Sequence, residues 1–169
     1  MARLGLPDAW LVAGCLFQAV WNAQDGRDPA AGINDYDLFY FDALDLSYEA
    51  EDAVIRRADG LFADLGAQVE IRNQARVHLW YPERFGADYL ALTSSRDGID
   101  RFLVAGTCIG VRPMADGRHE IYAPYGLGDI FEGLLRPNPA NLNPVLFARK
   151  AESYRARWPW LRVVGDAMP

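Results

Sequence analysis

Two aspartates, Asp35 and Asp37, stand two positions apart at the start of an aromatic and aliphatic run, "INDYDLFYFD", residues 33–42. Side chains two apart on a β-strand share a face, with Cα atoms about 6.6 to 7 Å apart, so both carboxylates would point to one side. Desolvation and mutual repulsion oppose two anions beside an apolar sheet. A hard cation such as Mg²⁺ removes that penalty and is typically held by one or two carboxylates plus substrate phosphates. The pair therefore predicts a site for Mg²⁺ or Mn²⁺, although an ordinary solvated turn is the alternative.

A third carboxylate, Glu70, lies in "AQVEIRN", residues 67–73, where apolar and polar residues alternate as in a half-buried strand. If this strand pairs beside the strand of Asp35 and Asp37, Glu70 faces the same side. The three acids would then suit a two-metal site, in which ions about 3.5 to 4 Å apart hold the attacking and leaving oxygens.

The elements before the acid pair can supply an anion site. "AWLVAG", residues 9–14, is a short apolar run stopped by Gly14, and "CLFQAVWNAQ", residues 15–24, has apolar residues at helical spacing. We interpret them as strand, turn and helix, while a single helix from Pro7 is the competing interpretation. Backbone N–H groups at such a turn and helix N-terminus form a natural phosphate cradle.

The rest of the chain alternates apolar runs with Gly, Pro, Asn and Asp, which favours a mixed α/β (α+β) fold. We predict a strand over 35–46 and a helix over 48–65 that is capped by Ser47. A helix over 74–86 is expected to end near Pro82, and a short helix over 94–103 is expected to be capped by Ser94 or Ser95. A strand pair over 104–113 and 117–124 turns at "MADG", and a last helix stops at Pro159.

Composition narrows the class of protein. The chain has 169 residues, of which 51% are hydrophobic, so we expect a single domain over 1–169 with a substantial core. The net charge of −6 disfavours nonspecific binding to nucleic acid. Cys15 and Cys108 do not form a disulfide scaffold, and no membrane span or clear signal peptide is present, so a cytoplasmic protein is expected.

The pattern of apolar strand, small residues, helix and Asp-x-Asp resembles the nucleotidyltransferase superfamily of DNA polymerase beta and the CCA-adding enzymes. Five blocks in order, "AGCLFQAVWN", "NDYDLFYFD", "VEIRNQARVHLWYPERFG", "IYAPYGLGDIFEGLLRPN" and "RWPWL", resemble a small bacterial nucleotidyltransferase-like family over nearly the whole chain. The resemblance implies a mixed sheet flanked by helices. It also implies transfer of a nucleoside monophosphate from a triphosphate, with Asp35, Asp37 and Glu70 as metal ligands and catalytic residues. Gly14 and Cys15 would cradle the phosphates, although Cys15 stands where the superfamily has Gly or Ser.

Three basic residues are candidates for nucleotide binding. Arg72 lies on the side of Glu70, and an ion pair with one of the acids is an equal alternative to a phosphate contact. Arg76 follows the same strand, where an exposed surface role is favoured over anion binding. Lys150, on the last helix, either contacts phosphate or stays solvated.

Three classes of function follow from these patterns. The first is a nucleotidyltransferase that uses a nucleoside triphosphate and a hydroxyl acceptor, for which a small molecule or a protein is favoured over nucleic acid because of the negative charge. The second is a degenerate module of the same fold that binds a nucleotide or a protein without catalysis. The third is a structural or toxin–antitoxin partner. The base, the acceptor and the oligomeric state are open.

Overall fold

Residues 2–86 and 88–165 are described by a computed structural model, and within them the chain forms seven β-strands and six α-helices. The strands are β1 (Trp10–Val12), β2 (Asp35–Tyr40), β3 (Gln68–Asn73), β4 (Gly110–Pro113), β5 (His119–Tyr122), β6 (Leu134–Leu135) and β7 (Arg162–Val163). The α-helices are α1 (Gly14–Gln24), α2 (Tyr48–Phe62), α3 (Val77–Phe85), α4 (Ser95–Ile99), α5 (Gly128–Glu132) and α6 (Pro144–Arg157). Short 3₁₀ turns cover Ala2–Leu4, Ala63–Leu65, Gln74–Arg76 and Ala105–Thr107.

Five strands form one mixed sheet in the order β3-β2-β1-β4-β5. β2 and β3 run parallel, whereas the other neighbours in this sheet run antiparallel. β6 and β7 form a separate parallel pair. A mixed sheet flanked by helices confirms the fold class expected from the sequence.

The two faces of β2 have different partners. Leu38 and Tyr40 are buried with Ile71 of β3 against α2, which contributes the buried Ala58. Because side chains alternate along a strand, Asp35, Asp37 and Phe39 project from the other face. The acid pair therefore lies on the face of the sheet that α2 does not cover.

The segment around β1 forms a strand and then a helix, as the first interpretation predicted. β1 pairs with both β2 and β4, so the alternative of one helix from Pro7 is wrong. Ser47 caps α2 by accepting a hydrogen bond from the N–H of Ala50, 3.2 Å away, as expected. The Ser94 side chain caps α4 in a capping box with Asp97.

Several predicted boundaries were wrong. The strand expected over 104–113 begins only at Gly110, because Ala105–Thr107 form a 3₁₀ turn, and the helix expected over 94–103 ends at Ile99. β2 ends at Tyr40 and not near residue 46, because the side chain of Asn73, the last residue of β3, takes over the pairing. Its Oδ1 accepts from the Asp42 N–H at 3.0 Å and its Nδ2 donates to the Asp42 carbonyl at 2.8 Å. α3 continues through Pro82 and ends before left-handed Gly86, whose N–H bonds to the Pro82 carbonyl.

An aromatic cluster joins the first and last long helices. Phe17 and Trp21 of α1 pack against Tyr154 of α6, and Trp158 follows α6 directly. The indole N–H of buried Trp158 donates to Asn22 Oδ1 at 3.0 Å, which satisfies two buried polar groups at once. α6 is thereby fixed beside α1, close to the acid-bearing face. None of the helices in the described part of the chain is long and apolar enough to cross a membrane.

Candidate active site

The turn between β1 and α1 has an unusual backbone. Ala13 adopts φ 61° and ψ −140°, a conformation that residues other than Gly rarely take. Its carbonyl accepts the first bond of the helix, from the Leu16 N–H at 3.2 Å, and no side chain caps the helix start. The first N–H groups of α1 are thus left without a side-chain acceptor, at the positive end of an 11-residue helix.

The acid pair shares a cavity with this helix start. Ala13 and Gly14 line a cavity of about 360 Å³ together with Asp35 and Asp37. Val12 of β1 lies opposite Asp37 across the ladder, which places the pair immediately beside the β1–α1 turn. We call this space the acid-pair cavity. Its volume lies within the roughly 300 to 1,000 Å³ usual for small-molecule sites.

The carboxylate of Asp37 is poorly compensated. Burial, followed by the charges of Asp35 and Glu70, raises the pKa of Asp37 from 3.8 to about 6, against smaller opposing effects of Arg72 and Lys150. Among the ion pairs and side-chain hydrogen bonds of the described residues, neither Asp35 nor Asp37 has a partner. Two adjacent anions without a bonded cation are the electrostatic environment in which a divalent ion binds favourably.

Glu70 lies beside the pair but does not line its cavity. In the parallel ladder Glu70 is the register partner of Asp37, so both side chains are on the same face, as the sequence predicted. Its carboxylate, however, accepts from Gln68 Nε2 at 3.2 Å and lies 4.0 Å from Arg72 Nη2. Within residues 2–86 and 88–165, no three His, Cys, Asp or Glu side chains are arranged to hold a metal ion.

Basic and polar side chains complete the acid-pair cavity. Lys150 of α6 lines it, with its ammonium 5.3 Å from the centre of the Tyr154 ring. Arg101, which follows α4, lines it as well. Gln18 contributes from α1, one turn after Gly14, and its side chain accepts from Arg157 Nη1 at 2.8 Å. Cations therefore border the same space as the acid pair, as binding of a phosphate with a metal requires.

Two of the predicted nucleotide-binding residues have buried side chains, Cys15 and Arg76. Cys15 is buried, its thiol donates to the Val12 carbonyl at 3.4 Å, and burial together with Asp37 raises its pKa to about 11. Only its backbone N–H is left for an anion. Arg76 is neither exposed nor near the cavity: 8% of its surface is accessible, and its guanidinium pairs with Glu51 and donates to the Leu46 carbonyl. An exposed role for Arg76 is therefore wrong, because a buried carboxylate holds it.

Arg72 shows the ion pair that was one of its two alternatives. Its guanidinium reaches Glu70 at 4.0 Å and donates to the Ile71 carbonyl at 3.0 Å, while 42% of the side chain stays exposed. Such a long and solvated pair is weak.

Sequence reasoning missed Gln18, Arg101 and Tyr154. The position of Gln18 could have been predicted from the sequence, because helical spacing puts residues 14 and 18 on one face of α1. Arg101 and Tyr154 carried no local signal, since they reach the cavity only through the packing of α4 and α6.

Comparisons with known proteins agree with this fold. The chain matches the protein family described as "Nucleotidyltransferase" over residues 1–163. It is also similar to a protein solved by NMR and described as revealing a CCA-adding enzyme head domain, with a TM-score of 0.78 and 28% sequence identity. That similarity covers 97% of this chain and 85% of the other. Among curated proteins, none matches the chain significantly.

Proposed function

Because the chain belongs to the nucleotidyltransferase family, we propose that it transfers a nucleoside monophosphate from a nucleoside triphosphate to a hydroxyl acceptor, with Mg²⁺ or Mn²⁺ as cofactor. The observation that carries the proposal is the acid pair on one wall of a cavity that also contains the start of α1 and two basic side chains. The acceptor oxygen forms the new bond to the α-phosphorus as the bond to the leaving pyrophosphate breaks. The acceptor proton passes to a carboxylate, for which Glu70 is the proposed residue.

The residues of the acid-pair cavity offer two carboxylate ligands for a divalent cation. Asp35 and Asp37 would hold it, since they share a face without a bonded cationic partner among the described residues. Bound there, the ion would neutralise charge on the phosphates and polarise the α-phosphate. Glu70 would have to turn away from Gln68 and Arg72 to act as a third ligand.

The chain's own groups would bind and orient the triphosphate. The uncapped N–H groups at Gly14 and Cys15 would donate to phosphate oxygens at the positive end of α1. Lys150 and Arg101 would pair with the phosphate charge that the metal ion and the start of α1 do not neutralise. Preorganised donors of this kind stabilise charge that develops in the transition state.

Removal of one acid tests the proposal. We expect Asp37→Ala to abolish Mg²⁺-dependent binding of a non-hydrolysable triphosphate, measured by calorimetry, while circular dichroism shows an unchanged fold. Asp64→Ala is the matched control, because Asp64 is exposed and does not line the acid-pair cavity. Unchanged triphosphate affinity in Asp37→Ala would overturn the assignment.

A catalytically degenerate nucleotide- or protein-binding module is the second candidate. The orientation of the Glu70 side chain favours this second candidate, since the carboxylate accepts a hydrogen bond from Gln68 and lies near Arg72. Incubation with each labelled triphosphate and Mg²⁺ or Mn²⁺ separates the two candidates. Release of pyrophosphate supports the transferase, whereas binding without turnover across protein, RNA and small-molecule acceptors supports the module.

The proposal includes the cellular compartment of the reaction and the class of its acceptor. Cys15 and Cys108 are both buried and free, which suits a reducing cytoplasm. A small-molecule or protein acceptor is favoured over a long polynucleotide, since the net charge is −6.

A further inference from the structure

A second cavity lies next to the acid-pair cavity on the same face of the sheet. Phe39 lines it from β2 and Arg72 from β3. Phe39 is the next residue after Asp37 on that face, and it pairs with Arg72 across the ladder. Arg101 and Phe102 line both cavities, so the two spaces share a border.

Aromatic rings form much of the remaining wall of this second space, which we call the aromatic cavity, and Gln74, Val77 and Gly98 form the rest. Trp80 and Tyr81 of α3 and Tyr89 contribute rings, with Phe102 at the border. The Tyr81 and Tyr89 rings lie 4.5 Å apart between centroids. All four residues are half-buried, in contrast to the fully buried Trp21 of the core. Such rings present faces on which a planar group can stack.

The size of the aromatic cavity suits one ring system. Its volume is about 190 Å³, half that of the acid-pair cavity at about 360 Å³. A whole drug-sized ligand needs roughly 300 Å³ or more. A single base fits this space better than a complete triphosphate does.

Two guanidinium groups border the rings. Arg101 stacks over the Tyr89 ring at 5.0 Å, and no carboxylate pairs with it among the described residues. Arg72 has a 4.0 Å contact with the Glu70 carboxylate and one hydrogen bond, to the Ile71 carbonyl at 3.0 Å, which leaves other donors of its guanidinium unused. Guanidinium groups with unused donors bind phosphate in bidentate fashion. The aromatic cavity therefore combines a place for a ring with a place for an anion.

We propose that the aromatic cavity binds the acceptor, a small nucleotide whose base lies among the rings of Trp80, Tyr81 and Tyr89 and whose phosphate pairs with Arg72. The proposal rests on the proposed function, since it needs a transfer reaction at the acid pair. The shared border at Arg101 and Phe102 brings such an acceptor beside Asp37. The net charge of −6 favours a small nucleotide over a polynucleotide.

Calorimetry with the full chain tests this proposal. AMP, adenosine and inorganic phosphate are each titrated into protein saturated with a non-hydrolysable triphosphate and Mg²⁺. We expect AMP to bind, and adenosine and phosphate each to bind at least about tenfold more weakly, because each lacks one of the two contacts. Trp80→Ala and Arg72→Gln should each weaken AMP binding at least about tenfold.

A matched variant and the triphosphate itself serve as controls. Arg84→Gln, on exposed α3 surface outside the aromatic cavity, should leave AMP binding unchanged. If Trp80→Ala unfolds, Arg72→Gln decides alone, because its side chain is 42% exposed. Equal AMP affinity in Arg72→Gln and the unsubstituted protein would overturn the proposal, as would much tighter binding of an oligoribonucleotide than of AMP.

The two proposals fail in distinguishable ways. If the triphosphate binds but AMP does not, the acceptor site is wrong while the acid-pair site stands. If the triphosphate does not bind, the proposed function fails. AMP is then titrated into the ligand-free unsubstituted protein and into ligand-free Arg72→Gln, and the difference between the two affinities tests the aromatic cavity by itself.

Discussion

At the scale of single residues, the fold opposes ionisation of Asp37. Burial and the neighbouring acids raise its pKa from 3.8 to about 6. The folded state therefore binds the proton more tightly than the unfolded chain does. The free energy of unfolding consequently falls as pH rises from about 4 to about 6, and at pH 7 the ionised carboxylate destabilises the metal-free protein.

Asp37→Asn should stabilise the metal-free protein at neutral pH. In EDTA at pH 7 we expect the free energy of unfolding to rise by about 1 kcal/mol, a value that discounts the pKa shift for solvent screening. At pH 4 the two proteins should be nearly equal, because Asp37 is then protonated in the folded state. Urea denaturation at both pH values measures this. Asp64→Asn, at an exposed position outside the cavity, is the control for the substitution itself. A less stable Asp37→Asn protein at pH 7 would contradict the argument.

The residues of the site differ in how far sequence could predict their position. Asp35 and Asp37 were predictable because the two-residue period of a strand is local. The shared face of Asp37 and Glu70 followed once the strands were assumed to be neighbours. The direction of the Glu70 side chain was left open by the sequence, because Gln68 and Arg72 lie on the same face of its strand and compete with the cavity for the carboxylate.

At the scale of elements, a buried ion pair connects α2 to the end of β3. Glu51, in the first turn of α2, pairs with Arg76 and also accepts from the Asn73 N–H at 2.8 Å. Arg76 donates in addition to the Leu46 carbonyl at 2.9 Å. The pair thus fixes the loop before α2 against β3, on the strand that carries Glu70.

Arg76→Met should therefore affect stability and not nucleotide binding. Loss of one partner leaves the Glu51 charge buried and unpaired, so we expect the free energy of unfolding to fall by about 3 kcal/mol. Triphosphate affinity at a temperature where the variant is folded should be unchanged. The double variant Glu51→Leu/Arg76→Met should recover much of the loss, since it removes both charges.

Denaturant titration gives the stabilities and calorimetry the affinities. A variant that keeps its stability but loses triphosphate binding would return Arg76 to the substrate site. Equal destabilisation by the single and double substitutions would indicate that packing by the arginine side chain, and not its charge, matters.

Elements were predictable where their signals are local. The strand–turn–helix before the acid pair and the Ser47 cap were correct, because apolar spacing and capping act within one or two turns. The end of β2 was not, since the Asn73 side chain that replaces the ladder lies 31 residues from Asp42. The helix through Pro82 was also missed, because surrounding structure outweighed a local breaking signal.

At the scale of the whole molecule, distant parts of the chain enclose the acid-pair cavity. Gly14 comes from the first helix and Lys150 from the last. The hydrogen bond between Trp158 and Asn22 joins residues 136 positions apart, and that between Arg157 and Gln18 joins residues 139 apart. No sequence pattern encodes such pairings locally, which is why the sequence made Lys150 a candidate without indicating whether it reaches the site.

A ligand in this cavity should therefore stabilise the molecule as a whole. With Mg²⁺ and a non-hydrolysable triphosphate at about 100 times its Kd, linkage predicts a gain of about 2.7 kcal/mol. For a chain of this size that gain corresponds to a rise in Tm of about 5 to 10 °C. The shift should disappear when Mg²⁺ is replaced by EDTA, because the acid pair would then repel the phosphates.

Lys150→Gln identifies the contribution of α6 to that shift. Loss of one charge-assisted contact should weaken triphosphate binding about tenfold, so that at the same ligand concentration the gain falls to about half. Arg149→Gln is the matched control, because Arg149 is the exposed neighbour on the same helix and does not line the cavity. Differential scanning fluorimetry measures all three proteins. Equal shifts in Lys150→Gln and Arg149→Gln would show that the last helix closes the cavity by packing alone, and that the phosphates are bound by the start of α1 and by Arg101.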